Sequence, residues 1–198
     1  LENAWLNRST VDAFGEYTGV ISRCLGDRVK QWFTINEPWC ASHLSYTIGE
    51  HAPGMTDRSK GILASHHLLL AHGVAEKELR ISVPDLQVGI ELNSSPIHND
   101  PISPVSEDQI RFMDGELTRW FADPVFGRGY PKDILEDYVR MGVLDSTEPE
   151  FIMPGDMDII SEPTELLGLN YYTRQFVSAD PDRSHNDKRD VPQTEMGW

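Results

Sequence analysis

The chain has few cysteines and no long hydrophobic run. Its 198 residues include two cysteines, Cys24 and Cys40, which are too few for a disulfide scaffold and lack the spacing of metal ligands. We expect both to be buried thiols. The longest apolar run, around Leu68 to Ala71, is far shorter than the roughly 18 residues of a membrane-spanning helix, so we expect no membrane contact.

Positive charge is also scarce. The sequence has 17 Lys and Arg against 32 Asp and Glu, a net charge of −15, and the acidic residues are scattered rather than gathered in a tail. This balance argues against nucleic acid as a partner. The chain starts at Leu1 without a Met or a targeting sequence, and we expect it to be a fragment. Its compartment stays open, with a slight preference for the cytoplasm, and so does its oligomeric state.

Several signatures of common enzymes are missing as well. The sequence contains no G-x-S-x-G elbow, no G-x-x-x-x-G-K-[ST] phosphate loop, no G-x-G-x-x-G fingerprint and no H-E-x-x-H helix. His66, His67 and His72 lie close together, but no supporting carboxylate is expected beside them. We therefore predict a packing or surface role for these histidines, and neither a metal nor a cofactor.

Helical periodicity is present in several parts of the chain. Apolar residues recur at helical spacing from Ser9 to Leu25, before Gly26, and again over residues 59–80 as one apolar stripe. Ser106 and Pro131 are typical starts of two further helices.

Three short apolar runs predict strands, at residues 29–35, 88–92 and 166–172. A loop is expected between the first strand and the helix that follows it, and a charged, loop-like tail over residues 178–193. Nearly continuous apolar strands that alternate with helices favour an α/β fold with a parallel sheet and helices outside it. The long intervals between strands predict elaborate loops at the carboxyl ends, where binding residues are commonly mounted.

The most informative stretch is Trp32 to Trp39, which reads W-F-T-I-N-E-P-W. It places Glu37 where a predicted buried strand ends, with apolar residues behind it and an open pocket in front, which is the environment of a general acid. Pro38 fixes its own φ and has no backbone N–H, so the chain must leave the strand there. Alone, N-E-P is a weak signal, and an exposed loop carboxylate would be the simpler interpretation.

Three more motifs follow in order. H-A-P-G begins at His51, fourteen residues after Glu37; L-G-L-N-Y-Y-T spans Leu167 to Thr173; and M-G-W ends the chain at Trp198. Together with T-I-N-E-P-W, this order resembles the family 1 glycoside hydrolases, the β-glucosidases and their relatives, and the resemblance covers essentially the whole chain. It implies a (β/α)8 TIM barrel with active-site residues at the carboxyl ends of the strands. Residues 1–198 would then be the central part of one barrel domain, a partial barrel of about strands four to six.

The resemblance also implies roles for individual residues. Glu37 would be the acid/base, and Asn36 would hydrogen-bond the sugar 2-hydroxyl. Tyr172 would donate to the nucleophile, and Asn170 would shape the same corner. Without the resemblance, a strand tyrosine such as Tyr172 is more often part of the core.

Two further residues would contact the leaving group. His51 and Trp198 match the family at these positions, although His51 could equally cap a turn. The family's nucleophile lies in a T-E-N-G motif, and this sequence has none.

The function implied is retaining hydrolysis of terminal non-reducing β-D-glucosyl residues, with a carbohydrate or aryl β-glycoside as substrate and with the isolated chain inactive. A 6-phospho-β-glycosidase and a non-catalytic sugar-binding pseudoenzyme are the alternatives that the sequence leaves open.

Overall fold

A computed structural model of the protein describes residues 2–180. Its helices, in chain order, are α1 (Ser9–Leu25), α2 (Arg58–Ser82), α3 (Glu107–Asp114), α4 (Trp120–Val125), α5 (Lys132–Arg140) and α6 (Asp156–Ile160). Its strands are β1 (Gln31–Asn36), β2 (Gln87–Asn93), β3 (Ile97–Asn99), β4 (Leu166–Asn170) and β5 (Gln175–Val177). A short 3-10 turn, Ala4–Leu6, precedes α1, and wider π-type helical segments span Cys40–Ile48 and Gly115–Arg119. Within the described residues, no helix is both long and apolar enough to cross a membrane.

The strands form two parallel sheets. The larger has the order β1-β2-β4, and the smaller pairs β3 with β5. Along β2, Val88, Ile90 and Leu92 are buried under the helices, whereas Gly89 and Glu91 alternate with them and point to the other face. The prediction of a parallel sheet is therefore confirmed, and helices cover one of its two faces.

Helix α2 is the centre of the helical layer. Between Gly61 and Glu76 most of its residues are buried on all sides, which corrects the prediction of a single apolar stripe. A Cβ atom on Gly73 would lie 1.8 Å from the carbonyl oxygen of Ile159, so glycine is required where α6 crosses. Asp57 is the N-cap of this helix, and its carboxylate accepts a hydrogen bond from the backbone N–H of Ser59 at 3.0 Å.

Helix α1 has the predicted bounds, but small residues rather than its larger apolar residues make up most of its buried face. It packs on α2 through small residues, and a Cβ on Gly15 would lie 2.7 Å from Val74 Cγ1. Tyr17 and Leu25 are 57% and 40% exposed, because close helix packing through small residues turns the larger apolar side chains outward. Cys24 is exposed and Cys40 is half-buried, so the expectation of two buried thiols is wrong for Cys24.

The clustered histidines are packing residues. His66, His67 and His72 are almost fully buried, so a surface role is excluded for all three. His66 places its two ring nitrogens 3.0 Å from the Tyr130 hydroxyl and from Asp156 Oδ2. No group of three possible metal ligands occurs within the described residues.

Three local predictions are corrected. The predicted loop after Pro38 contains the helical segment Cys40–Ile48. The third strand ends at Asn170 rather than at residue 172. The β3–β5 pair was not predicted, and residues 181–193 of the predicted tail lie outside the described residues.

Candidate active site

A β-bulge determines which way the end of β1 faces. Phe33 lies opposite Gly89 on β2, whereas Asn36 lies opposite Glu91, so three residue steps on β1 match two on β2. The extra residue places Asn36 on the same face as Phe33, away from the helices. Without the bulge, strand alternation would turn Asn36 toward α2.

The backbone of Glu37 is held in an unusual conformation between the strand and the next helix. Its φ is 48°, a left-handed value that costs a residue other than glycine about 1–3 kcal/mol. Its N–H donates to the carbonyl of Glu91 at 2.8 Å, and its carbonyl accepts from the N–H of Ala41 at 3.1 Å. These bonds fix the residue from both sides, so the strained backbone is maintained by its neighbours.

The sequence did contain signals for the helical segment after Glu37. Pro38 suits the first position of a helix because its missing N–H would be unpaired there. Gly49, with a φ of 84°, ends the segment in the left-handed conformation typical of a helix C-terminus. The Ser42 hydroxyl donates to the Pro38 carbonyl at 2.6 Å and fastens the first turn.

Three of the predicted site residues lie together at the carboxyl edge of the sheet. The side-chain amide of Asn170, at the end of β4, donates to Asn36 Oδ1 at 3.0 Å and to Glu37 Oε1 at 2.9 Å. Both N–H bonds of the amide are thereby used. Because Glu37 Oε1 already accepts a hydrogen bond, the proton of the acid form belongs on Oε2.

The half-buried Cys40 is one turn beyond Glu37. Burial, and then the adjacent Glu37 carboxylate, raise the pKa of its thiol to about 12. The thiol therefore stays protonated at neutral pH and is not a nucleophile.

His43 lies in the same helical segment and packs against aromatic rings. Its ring stacks on Trp39 with centroids 5.7 Å apart, and it meets Phe121 edge-on. The Ser42 hydroxyl donates its proton to the Pro38 carbonyl. His43 Nδ1, which is 3.0 Å from Ser42 Oγ, is therefore the donor in the bond between these two side chains. Nε2 is buried without a partner in the described part of the chain. Burial, aided by the charge of Arg58, lowers the pKa of His43 to about 3.

Glu91 was not predicted as a site residue. It points to the open face of the sheet, and a Cβ on Gly168 would lie 2.2 Å from Glu91 Cγ and 3.2 Å from Phe33 Cε1. The available signal was the alternation of Gly89 and Glu91 with apolar residues in β2, which the interpretation of the strand as a continuous apolar run overlooked.

Tyr172 lies in an outward loop just beyond β4. The ladder continues from β4 through a bond from Ser94 N–H to the Asn170 carbonyl at 3.0 Å, and resumes with a bond from Gln175 N–H to the Pro96 carbonyl at 3.0 Å. Four residues, 171–174, stand opposite a single residue on the other strand, so they leave the sheet. Tyr172 is 62% exposed there.

The remaining predicted contacts are separate from this group. His51 is exposed in the turn after the helical segment, where its N–H donates to the Leu44 carbonyl at 3.0 Å and its carbonyl accepts from Gly54 at 2.8 Å. In the part of the chain that the structure describes, its ring makes no hydrogen bond. Trp198 lies outside the described residues.

Comparison with known proteins identifies the family of the chain. The model of glycosyl hydrolase family 1 matches residues 2–196. The chain belongs to this family. Its members are (β/α)8 barrels, and the chain is 36% identical to β-glucosidase A of Thermotoga maritima and 37% identical to β-glucosidase A of Acetivibrio thermocellus. A crystal structure of a β-glucosidase from Exiguobacterium marinum superposes with a TM-score of 0.82 at 37% identity, covering 98% of this chain and 44% of that one.

The chain is shorter than these relatives. Both alignments with the curated enzymes cover 100% of this chain but 44% of the relative. The chain therefore spans less than half of the length of the curated relatives that it matches. A structure of the Thermotoga maritima enzyme, described as a complex with deoxynojirimycin, superposes with a TM-score of 0.79 at 35% identity, covering 98% of this chain and 42% of that one.

Proposed function

We propose that this chain is the central part of a retaining β-glycosidase that acts on terminal non-reducing β-D-glucosyl residues, with Glu37 as its acid/base. The observation that carries the proposal is the hydrogen-bonded group of Asn36, Glu37 and Asn170 at the carboxyl edge of a parallel sheet. In a (β/α)8 barrel, this edge is where catalytic residues are mounted. The complete protein is the longer chain that supplies the rest of the barrel.

The barrel in this proposal is partial, with β1, β2 and β4 as its strands four, five and six. Within residues 2–180, β1 and β4 each have a neighbour on one side. Leu167 and Leu169, which share a face with the buried Ile90 and Leu92 of β2, are 43% and 60% exposed. This apolar surface on β4 is suited to cover by further parts of the barrel.

In the first step of the proposed reaction, the Oε2 proton of Glu37 is transferred to the glycosidic oxygen while a carboxylate attacks the anomeric carbon. In the second step, Glu37 takes a proton from a water molecule, and this water attacks the anomeric carbon and releases the sugar from the nucleophile. Asn36 hydrogen-bonds the 2-hydroxyl, Tyr172 orients the nucleophile, and His51 and Trp198 border the leaving group. No T-E-N-G motif occurs in these 198 residues, so the nucleophile comes from the rest of the protein and the isolated chain has no turnover.

The test compares Glu37→Gln with the parent in the complete protein. Glutamine keeps the acceptor for Asn170 but cannot donate a proton, so hydrolysis of a β-linked glucose disaccharide should fall about 10²- to 10⁴-fold. An activated aryl β-glucoside should lose much less in its first step because its leaving group needs no proton. Glu50→Gln, an exposed carboxylate in the same region, is the matched control and should be as active as the parent.

Three results would contradict the proposal. Equal activity of Glu37→Gln and the parent on the disaccharide would remove Glu37 from the chemistry. A parent protein that binds glucosides without hydrolysing them would be a pseudoenzyme, and one that hydrolyses only 6-phosphorylated glycosides would be a 6-phospho-β-glycosidase.

A further inference from the structure

A second polar cluster lies behind β1, within the helical layer. His72 and Glu76 are one turn apart on α2, and both are fully buried. His72 Nδ1 is 2.6 Å from Thr34 Oγ1 in β1. The Thr164 hydroxyl donates to Glu76 Oε1 at 2.9 Å. The expectation that no carboxylate lies beside His66, His67 and His72 is therefore wrong, because Glu76 lies beside His72.

The two threonines belong to the chain segments that carry the candidate site. Thr34 lies within the β-bulge, three residues before Glu37. Thr164 precedes β4, whose last residue is Asn170. The cluster on α2 therefore fastens both strands whose ends meet in the bond between Asn170 and Glu37.

Within residues 2–180, no cation is paired with the buried carboxyl of Glu76. Its Oε2 has no hydrogen-bond partner among the described residues, and its Oε1 is 3.9 Å from His72 Nε2, beyond hydrogen-bond distance. A carboxylate in this position is costly, so the neutral acid is favoured. Burial accordingly raises the pKa of Glu76 to about 7 and lowers the pKa of His72 to about 4.

The other charged groups around Glu76 lie on α2 and on the segment before β4. Arg80, one turn along α2, donates to the Pro163 carbonyl and, at 3.0 Å, to Glu165 Oε2, while its Nε is buried without a partner in the described residues. Glu162 is paired with Lys77 at 3.0 Å. Arg80 is therefore the cation that an ionised Glu76 would attract.

We propose that His72 and Glu76 are positioning residues for Glu37, and that they hold β1 and β4 in place only while Glu76 keeps its proton. Loss of the proton draws Arg80 toward Glu76 and away from Pro163. The segment before β4 is then released, and Asn170 no longer orients the Glu37 carboxyl. This positioning role depends on the proposed glycosidase function only where activity is the property measured.

The test uses Glu76→Gln in the complete protein, because glutamine can still accept from Thr164 but cannot ionise. Glu78→Gln, two residues along the same helix, is the matched control. Activity is measured from about pH 5 to pH 9, well below the unfolding temperature. The parent and Glu78→Gln should lose kcat as the pH rises through about 7, whereas in Glu76→Gln this alkaline limb should move up by about one pH unit or more. Coincident alkaline limbs in all three proteins would overturn the proposal.

Thermal unfolding gives a readout that does not depend on glycosidase activity. The folded pKa of Glu76 is raised, so its contribution to stability is complete below the ordinary carboxyl pKa of 4.5 and is lost as the pH rises through about 7. The Tm of the parent should therefore fall relative to that of Glu76→Gln between about pH 5 and pH 8. A pH-independent difference would overturn the proposal even if the protein proved to have no glycosidase activity.

The Thr164 hydroxyl offers a second pair of variants, should Glu76→Gln fold poorly. Thr164→Ser keeps the donor and should retain the parent kcat and pH profile. Thr164→Val removes it and should lower kcat about tenfold with little change in KM, since no substrate contact is lost. Equal kcat values for the two variants would contradict the positioning role.

Discussion

The two faces of the three-stranded sheet differ in how completely they are covered. On the helix side, Val88 and Ile90 are 0% exposed under the helices. On the opposite side, Phe33 is 46% exposed, and the edge carries Asn170, whose side-chain amide donates to both Asn36 and Glu37. One face therefore supplies packing free energy, while the other holds polar groups in open space. Substitutions on the covered face should therefore lower stability, whereas substitutions on the open face should lower activity.

The largest effect is expected on the covered face. Ile90→Ala removes a fully buried side chain and should lower the free energy of unfolding of the complete protein by about 2–5 kcal/mol, measured by urea denaturation. Ile81→Ala, at a position on α2 that is 77% exposed, is the control and should change it by about 0.5 kcal/mol or less. Similar losses in both variants would show that the covered face is not the source of stability.

The next largest effect is a loss of activity, expected on the open face. Asn170→Ala removes the amide that donates to Glu37 and should lower kcat about 10- to 100-fold, the loss expected for a hydrogen bond to a charged group, with a small change in Tm. Asn93→Ala, at the register partner on β2, is the matched control and should retain most of the activity. A large fall in Tm without a fall in kcat would return Asn170 to a structural role.

The fold was predictable where local sequence determines structure. The bounds of α1 follow from its start at Ser9 and its stop at Gly26, and the Ser106 cap of α3 is confirmed by a 3.2 Å bond from the Gln109 N–H. The core of each main strand was found from its apolar residues. Glu37 and Asn170 were named from motifs, and the structure places them in contact.

The unpredicted features depend on distant parts of the chain. The pairing of β3 with β5 joins segments of three residues each that are far apart in sequence, and such short runs carry little local signal. The burial of His72 and Glu76 follows from helices that pack around all sides of α2, which its own periodicity does not reveal. The bulge before Asn36 arises from register between strands, so only the paired sheet shows it.

The smallest effect concerns pH and His43, in the helical segment Cys40–Ile48. The pKa of buried His43 is lowered to about 3, so the stability it contributes is complete above the ordinary histidine pKa of 6.5 and is lost as the pH falls. His43→Phe keeps the aromatic packing and should reduce the acid-induced loss of unfolding free energy by up to about 2 kcal/mol between pH 7 and pH 5. His98→Phe, at an exposed histidine, is the control. Urea denaturation curves that lose the same free energy on acidification in the parent and in His43→Phe would contradict the assignment.

The most direct measurement of the central claim, that Glu37 is the acid/base of a retaining enzyme, is azide rescue of Glu37→Gln in the complete protein. Azide needs no general base, so it can attack a glycosyl-enzyme that water cannot release without Glu37. With an activated aryl β-glucoside, turnover should rise with azide concentration, and the product identified by NMR should be β-glucosyl azide. Turnover that azide leaves unchanged, or an α-glucosyl azide product, would contradict the account.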